Sequence, residues 1–266
     1  MHPAMNPPAM NPAVTNPLER LIAHRGWPEA YPENSLRGMR AVLEAGARHV
    51  EFDLQLTRDG HPVVLHDDDL QRVSGRTGVV TALEHQQLSG YAAGEPDRFG
   101  ERFADEPIPD LEAMLARIAG FPVDRVFVEI KQRSLEAFGR DRVLESIAPV
   151  LARFQLPLVI LSFDARVLPL ARKRLGLPIG WVAKPWSQRV RRRAEALAPE
   201  YLFMNARRVP EGPAPFWPGD WQWAIYTVNR VETARDLLER GAELVETDRW
   251  PGLAAELAPA MGGADD

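Results

Sequence analysis

The sequence predicts an α/β protein, most simply a (β/α)8 barrel with helices outside a closed parallel sheet. Strand-like apolar segments alternate with helical patterns from residue 18 to residue 257, and this alternation is typical of parallel sheets covered by helices. Charged residues follow four of the apolar runs, at the predicted carboxyl ends of strands. Barrel active sites lie at that end. An open doubly wound sheet is the alternative that shares the same alternation.

The first predicted elements lead into a hairpin. They are a strand over residues 21–23, a helix over 36–45, a strand over 49–57 and a strand over 62–65. Asn34 or Ser35 can cap the helix at its amino end, and Gly46 can end it. The sequence Arg58-Asp59-Gly60 is typical of a tight turn, so the last two strands are predicted to pair as a hairpin.

The regular alternation stops between Asp68 and Pro107. This stretch is polar and contains five glycines. A loop of that length is uncommon in a compact domain unless it is functional, so we predict a small insertion over one end of the sheet. Asp110 then begins a helix, whose apolar face carries Leu111, Met114, Leu115 and Ile118.

Strands and helices alternate again after that helix. The predicted strands cover residues 126–130, 158–163, 179–182, 201–204, 223–228 and 244–245, and the predicted helices cover 165–175, 187–198 and 231–240. Nine strand-like segments result, one more than a closed eight-stranded barrel needs. We attribute the extra segment to the hairpin.

Composition and charge exclude several classes of protein. The 266-residue chain has no cysteine, which excludes disulfides and thiolate metal sites and fits a reducing compartment. Its formal net charge of -5 gives no electrostatic basis for binding nucleic acid. No apolar run approaches the ~20 residues of a membrane span, so we expect no stable membrane insertion.

Both ends of the chain differ in composition from its middle. Residues 1–17 are rich in Pro, Asn, Ala and Met, and they lack the basic start and apolar stretch of a secretory signal. We expect residues 1–17 to form a disordered leader, residues 18–257 to form the barrel, and residues 258–266 to form a flexible tail. The missing signal favours a cytoplasmic location.

Three carboxylates are predicted to share one end of the sheet. Glu51 and Asp53 are two residues apart on one strand and point to the same face, while Glu129 ends another strand. Burying such charges is costly unless they are paired or bind a metal. Oxygen ligands favour Mg²⁺ or Ca²⁺ over Zn²⁺. The sequence therefore predicts one divalent cation at these carboxylates, and a solvated edge strand is the structural alternative.

Cationic residues and histidines stand beside the carboxylates in the sequence. Arg25 and Lys131 add positive charge next to the predicted cation, which implies an anionic substrate, and phosphate fits best. His24 and His66 can act as base and acid in phosphoryl transfer. A lone pair such as His66-Asp67 is more often part of a turn, but its place among the other charged motifs favours catalysis.

The ordered set of motifs resembles the glycerophosphodiester phosphodiesterases, which are relatives of the phosphatidylinositol-specific phospholipases C. Each motif alone is weak support, whereas the order and spacing of the whole set are specific. The family also carries a short insertion after its His-Asp pair, where this chain has residues 68–107. The matching motifs are His24-Arg25-Gly26, Pro32-Glu33-Asn34-Ser35, Glu51-Phe52-Asp53, Leu56-Thr57-Arg58-Asp59-Gly60, Val64-Leu65-His66-Asp67, Glu129-Ile130-Lys131, Thr227-Val228-Asn229 and Thr247-Asp248.

The resemblance implies a reaction and a role for each matching residue. The family cleaves glycerophosphodiesters, such as glycerophosphocholine, into an alcohol and glycerol 3-phosphate, so the expected substrate is a small molecule of this kind. The implied roles are binding of one divalent cation by Glu51, Asp53 and Glu129, proton transfer by His24 and His66, phosphate binding by Arg25 and Lys131, and support of the site by Glu33 and Asn229.

Two residues depart from the family pattern. Tyr226 stands where the family usually has Trp, which changes how the glycerol or alcohol end of the substrate is held. Glu246 stands where an apolar residue is common, and it is either a supporting partner of the site or a strand-end charge. Neither departure affects the predicted metal ligands or histidines.

Several alternatives remain open from the residues alone. Either histidine can be the base, and either water or the neighbouring glycerol hydroxyl of the substrate can be the nucleophile. Two other function classes compete with the phosphodiesterase: a phospholipase acting on lysophospholipids through the insertion, and a catalytically silent barrel that only binds. The head group of the substrate, the choice between Mg²⁺ and Ca²⁺, and the oligomeric state are not predicted.

Overall fold

A computed structural model describes residues 17–258 of the protein. The predicted leader up to residue 16 and the predicted tail from residue 259 lie outside the described residues. Pro17, the last residue of the predicted leader, begins a 3-10 turn that ends at Arg20. No helix within residues 17–258 is both long and apolar enough to cross a bilayer.

Strands and helices alternate along the described residues. The strands are β1 (Leu21–Ala23), β2 (His49–Leu56), β3 (Pro62–Val64), β4 (Arg125–Ile130), β5 (Leu158–Ser162), β6 (Ile179–Ala183), β7 (Tyr201–Asn205), β8 (Gln222–Tyr226) and β9 (Leu244–Thr247). The helices are α1 (Leu36–Glu44), α2 (Gln71–Ser74), α3 (His85–Leu88), α4 (Pro96–Phe99), α5 (Leu111–Ile118), α6 (Gln132–Phe138), α7 (Arg140–Leu151), α8 (Val167–Leu175), α9 (Gln188–Leu197), α10 (Val231–Glu239) and α11 (Trp250–Leu257).

Eight parallel strands close into a barrel in the order β1, β2, β4, β5, β6, β7, β8 and β9. Ala23 of β1 lies opposite both Val50 of β2 and Thr247 of β9, which leaves no open edge at this strand. The predicted (β/α)8 barrel is confirmed, and the open doubly wound sheet is excluded. The ninth strand, β3, pairs antiparallel with β2 through Leu54 and Val64. The extra predicted segment is therefore the hairpin strand.

Local sequence signals set several helix boundaries. The side chain of Ser35 accepts a hydrogen bond from the backbone N–H of Gly38 at 3.0 Å and caps α1. Asp110 caps α5 in the same way through the N–H of Ala113, at 2.7 Å. Gly46 follows α1 with a φ of 102°, a conformation that glycine adopts without steric cost. The structure adds helices that were not predicted from the pattern: α6, α7 and α11, and the short α2, α3 and α4 between residues 68 and 107.

Side chains of the strands alternate between the barrel interior and the helix layer. On β4, Phe127 packs inside the barrel with Ile22 and Phe203, whereas Val126 and Val128 pack outward against the helices. Residues two apart share a face, so residue 129 points inward like residue 127. Its neighbour across the sheet is residue 53 of β2. Carboxylates thus replace apolar side chains at the carboxyl end of the interior.

The predicted insertion, residues 68 to 107, interrupts the alternation of strands and helices and packs around a small core. Leu70, Val73 and Leu88 are buried there together with Leu65, which directly follows β3. The insertion reaches the loop that follows β1, because the carboxylate of Glu95 accepts a hydrogen bond from the backbone N–H of residue 33 at 2.7 Å. It therefore lies beside the loops at the carboxyl end of the barrel.

Candidate active site

The predicted site residues meet at the carboxyl end of the barrel. A cavity of about 250 Å³ opens there. Its charged and aromatic lining includes His24, Arg25, Glu51, His66, Glu129, Lys131, Tyr226 and Glu246. A second cavity of about 410 Å³ shares His24 and Arg25 with the first, and Glu33 and Asn229 line it. Asp53 lies below the surface, with 1% of its area exposed.

Three of the carboxylates form a compact cluster. One oxygen each of Glu51, Asp53 and Glu129 lies within 4.8 Å of the other two. Glu51 and Asp53 share the inner face of β2, and Asp53 is directly opposite Glu129 of β4. Strand periodicity and sheet register together produce the cluster that the sequence predicted, and the solvated edge strand is excluded because β2 lies between β1 and β4.

Asp53 is surrounded by positive and hydrogen-bonding groups. Its Oδ2 atom lies 3.0 Å from Nε of Arg25, and its Oδ1 atom lies 3.2 Å from Nζ of Lys131. The side-chain amide of Asn34 also donates to Oδ2, at 2.9 Å. Burial alone would raise the pKa of Asp53, but Arg25 and Lys131 lower it below its usual range. Asp53 is therefore ionised at neutral pH.

Glu51 and Glu129 are less fully compensated. Glu129 contacts Lys131 at 3.0 Å. Within residues 17–258, Glu51 accepts a hydrogen bond only from the backbone N–H of Arg25, at 3.2 Å. Burial raises the pKa of both carboxyls, and the nearby charge of Asp53 raises that of Glu51 further. A divalent cation between these oxygens would offset this cost, so the three side chains fit a cation that prefers oxygen ligands.

His24 is held by residues from the last two strand ends. Its Nδ1 atom donates to Oδ1 of Asp248 at 2.7 Å. The other oxygen of Asp248 accepts from the amide of Asn229 at 2.9 Å, and Asn229 accepts in turn from the hydroxyl of Thr247. Burial and then the charge of Arg25 lower the pKa of His24, although Asp248 opposes this shift. His24 is therefore oriented by a connected network.

His66 is held by a second network that includes the insertion. Its Nδ1 atom donates to Asp67 at 2.7 Å, and the other oxygen of Asp67 accepts from Nε of Arg72 at 2.6 Å. Arg72 also donates to Glu33 at 2.6 Å, and Glu33 accepts from Arg25 at 3.2 Å. The hydrogen bond from His66 and the neighbouring Arg72 lower the pKa of Asp67. Arg72 thus connects the second histidine to the cationic side of the site.

Replacing Arg72 with methionine is expected to lower kcat about 10-fold, because the change removes charge-assisted bonds to Asp67 and Glu33 that are each worth about 1.5–3 kcal/mol. Arg72 lines neither of the two cavities, so KM should change little. The measurement is steady-state kinetics with a thermal melt. Arg76→Met in the same insertion is the matched control. A kcat equal to that of the control would show that Arg72 does not position His66.

Tyr226 and Glu246 lie on neighbouring strands and line the same cavity. Burial and the charge of Glu246 raise the pKa of Tyr226, which keeps its hydroxyl protonated at neutral pH. Burial and the charge of Glu129 raise the pKa of Glu246 well above its usual range. Tyr226 is therefore a hydrogen-bond donor to the cavity, and Glu246 adds a fourth carboxylate.

Five residues of the networks were given no role in the site from the sequence alone. They are Asn34, Asp67, Arg72, Thr247 and Asp248. Four of them, all except Arg72, lay inside motifs that had been recognised, and the adjacency of Asp67 to His66 could have indicated its role. Arg72 had no such signal, because it lies in the insertion, where the strand and helix pattern is absent.

The protein is a closed (β/α)8 barrel whose carboxylates, cations and histidines meet at the carboxyl ends of the strands. This arrangement is typical of barrel enzymes. The sequence profile of the glycerophosphoryl diester phosphodiesterase family matches residues 24–251 of the chain. The chain belongs to this family, and the resemblance found in its motifs is confirmed. Hydrolysis of glycerophosphodiesters is the activity that this membership supports.

Individual relatives agree with this assignment. The glycerophosphodiester phosphodiesterase of Caldanaerobacter subterraneus subsp. tengcongensis is 31% identical over 235 residues, which are 86% of this chain and 93% of the relative. A phosphodiesterase of Oleispira antarctica, solved in complex with the product sn-glycerol-3-phosphate, has a TM-score of 0.80 at 22% identity, with 90% of this chain and 97% of that chain covered. A glycerophosphodiester phosphodiesterase of Thermotoga maritima has a TM-score of 0.67 at 21% identity, with 89% and 97% covered. Both solved structures share the barrel fold.

Proposed function

We propose that the protein hydrolyses glycerophosphodiesters to an alcohol and glycerol 3-phosphate in a metal-dependent reaction, with His24 and His66 as the proton-transfer pair. The main support is that each histidine donates a hydrogen bond from Nδ1 to a carboxylate, at 2.7 Å. The acceptor is Asp248 for His24 and Asp67 for His66. In a neutral ring this bond leaves the lone pair on Nε2. Among residues 17–258, neither Nε2 atom has a hydrogen-bond partner, so both are available to a substrate.

The cationic side chains suit a phosphodiester. Arg25 and Lys131 line the cavity and remain protonated, because the adjacent carboxylates raise the pKa of both groups against the effect of burial. Guanidinium and ammonium groups stabilise phosphate oxygens and the charge that develops on them in the transition state. Tyr226 lies farther along the wall, where its hydroxyl can donate to the glycerol or alcohol end. Glu33 supports Arg25.

His24 is the better candidate for the base. Its lowered pKa keeps the ring neutral at neutral pH, and a neutral Nε2 can accept the proton of the attacking oxygen. His66 acts as the acid when its ring carries a second proton on Nε2, and it donates that proton to the leaving alcohol. The attacking oxygen belongs either to water or to the glycerol hydroxyl beside the phosphate, and the second route passes through a cyclic phosphate.

Glu51, Asp53 and Glu129 are the residues that would hold the divalent cation, Mg²⁺ or Ca²⁺. When bound, the cation would neutralise phosphate charge and act as a Lewis acid. Asp53 is ionised at neutral pH, and Asn34 fixes its orientation by donating a hydrogen bond to Oδ2 at 2.9 Å. The oxygen-only donor set and the burial of the cluster support this assignment.

Removal of the cation is expected to abolish the activity. The assay measures release of glycerol 3-phosphate from glycerophosphocholine and glycerophosphoethanolamine, first with a chelator and then with added Mg²⁺ or Ca²⁺. Because the cation offsets the charge of three buried carboxylates, activity should return only with one of these ions. Full activity in excess chelator would contradict the metal-dependent reaction. Release from neither diester under any ion would contradict the proposed substrate class.

The solved relative from Oleispira antarctica binds sn-glycerol-3-phosphate as its product. A site of the same fold that accepts this molecule supports a small glycerophosphodiester as the substrate here. This support concerns the glycerol 3-phosphate half of the substrate, because the product lacks the second alcohol of the diester. The alcohol half would occupy the remaining space along Tyr226 or in the adjoining cavity lined by Asn229.

Hydrolysis of lysophospholipids is less well supported. That activity needs an exposed apolar surface to approach a lipid aggregate, and the insertion was the candidate for it. Leu88 is buried in the insertion's own core, and Leu83 and Tyr91 pack against that core. Higher turnover on micellar lysophospholipids than on soluble diesters would favour this alternative.

The other alternative is a catalytically silent barrel that only binds. Failure of the protein to bind any divalent ion in calorimetry would favour it.

A further inference from the structure

Glu246 is a buried acid that has no role in the reaction proposed above. It lies on β9, faces the barrel interior, and has 3% of its area exposed. Its Oε1 atom is buried and, within residues 17–258, has no hydrogen-bond partner. No ion pair to Glu246 exists among these described residues either. Such a carboxylate costs several kcal/mol unless something compensates it.

The position of Glu246 connects it to the carboxylate cluster. One oxygen of Glu246, one oxygen of Glu51 and one ring nitrogen of His24 lie within 4.8 Å of one another. Glu51 is also a member of the cluster with Asp53 and Glu129. The two groups of possible ligands therefore share Glu51 and adjoin each other at the floor of one cavity.

The distribution of charge separates the four carboxylates into two pairs. Asp53 contacts Arg25 and Lys131, and Glu129 contacts Lys131. In the described part of the chain, Glu51 receives only a backbone N–H, and Glu246 receives no donor to Oε1. Two buried carboxylates thus make no ion pair with a cationic side chain of residues 17–258. When both are ionised, their charge of two matches that of one divalent cation.

We propose that Glu246 is a direct ligand of the divalent cation and forms, with Glu51, Asp53 and Glu129, a four-carboxylate centre. This inference rests on the metal dependence proposed above and adds a ligand to it. Ca²⁺ takes 6–8 oxygen ligands in flexible geometry, whereas Mg²⁺ usually keeps several waters and uses one or two carboxylates. The fourth carboxylate therefore assigns the centre to Ca²⁺ in preference to Mg²⁺. His24 remains a proton-transfer residue, because Asp248 orients its ring.

The test is isothermal titration of the metal-stripped full chain with CaCl2 and, separately, with MgCl2. The variant is Glu246→Gln, which keeps the size of the side chain and removes its charge. We expect one ion per chain in the wild type, tighter binding of Ca²⁺ than of Mg²⁺, and a loss of Ca²⁺ affinity of about 100-fold in the variant. The loss of Mg²⁺ affinity should be smaller. Glu243→Gln is the matched control, since Glu243 directly precedes β9 at the end away from the site, and it should bind as the wild type does.

A second variant controls for the possibility that Glu246→Gln loses Ca²⁺ affinity because it misfolds. Glu246→Leu places an apolar residue inside the barrel, and its melting temperature in chelator should equal or exceed that of the wild type, because an uncompensated buried acid is removed. It should lose Ca²⁺ affinity as Glu246→Gln does. Unchanged Ca²⁺ affinity in both variants, a preference for Mg²⁺ in the wild type, or two ions per chain of which the variants lose one would each overturn the four-carboxylate centre.

The same experiment separates this inference from the proposed function. If the wild type binds an ion and releases glycerol 3-phosphate only in its presence while both Glu246 variants bind that ion normally, only the role of Glu246 fails. If the wild type binds neither ion and hydrolyses neither diester, the proposed metal-dependent hydrolysis fails together with it.

Discussion

Replacing His24 or His66 with alanine is expected to lower kcat by about 10²–10⁴-fold without loss of the fold. Both rings line the cavity, and each is oriented by a bond from Nδ1 to Asp248 or Asp67. Alanine removes the group that moves the proton but leaves the carboxylate cluster in place. The measurement is kcat for glycerol 3-phosphate release, with circular dichroism as the check on folding.

His85→Ala is the matched control, since His85 lies on α3 in the insertion, outside both histidine networks. The pH profile of kcat/KM gives a second readout. If His24 is the base, activity falls as the pH drops through its lowered pKa, because protonation removes the lone pair on Nε2. Asp248 raises that pKa, so Asp248→Asn should move the acidic limb to lower pH. Near-normal kcat in both alanine variants would refute the histidine pair.

Replacing Asp53 with alanine is expected to destabilise the fold by about 3–5 kcal/mol, because Arg25 and Lys131 then lose their shared buried counter-charge. Both cations lie within 3.2 Å of Asp53, which is itself fully enclosed. The free energy of unfolding is measured by urea denaturation in the presence of chelator, so that bound metal does not contribute to stability. The variant should also bind no divalent cation.

The double variant Asp53→Ala with Lys131→Met provides the control. Lys131→Met removes one of the two cations that contact Asp53 in the wild type. The double variant should therefore recover part of the stability that Asp53→Ala loses. Equal stability of the wild type and Asp53→Ala would show that solvent or the remaining partners, Glu33 for Arg25 and Glu129 for Lys131, compensate the two cations. The charge network around Asp53 would then have no structural role.

The predicted strands were accurate because apolar runs of strand length are a local property. Every one of the predicted strand segments overlaps an observed strand, and most ends agree within one or two residues. The missed helices have local reasons. Helices α6 and α7 follow one another with only Gly139 between them, and α7 contains Pro149, which weakens its helical pattern. Helix α11 begins with Trp250 and Pro251, next to the final strand motif.

The residues of the site were predictable where their spacing is short. Glu51 and Asp53 share a strand face whatever the rest of the chain does, and so do Glu129 and Lys131 at the end of β4. Both histidines were recognisable because they stand directly after strands within motifs. The role of each of these residues in the reaction stays a prediction until the variants above are measured.

The sequence by itself determined the barrel class, the family and the set of charged residues at the strand ends, because these depend on periodicity and on short motifs. Only the tertiary structure decided which groups meet. His24 and Asp248 are 224 residues apart and bond because β9 pairs with β1. Arg72 in the insertion donates a hydrogen bond to Glu33 in the loop after β1. One oxygen of Glu246 lies within 4.8 Å of an oxygen of Glu51. Such contacts depend on closure of the barrel, and no local pattern of side chains encodes the distance between strands so far apart in the chain.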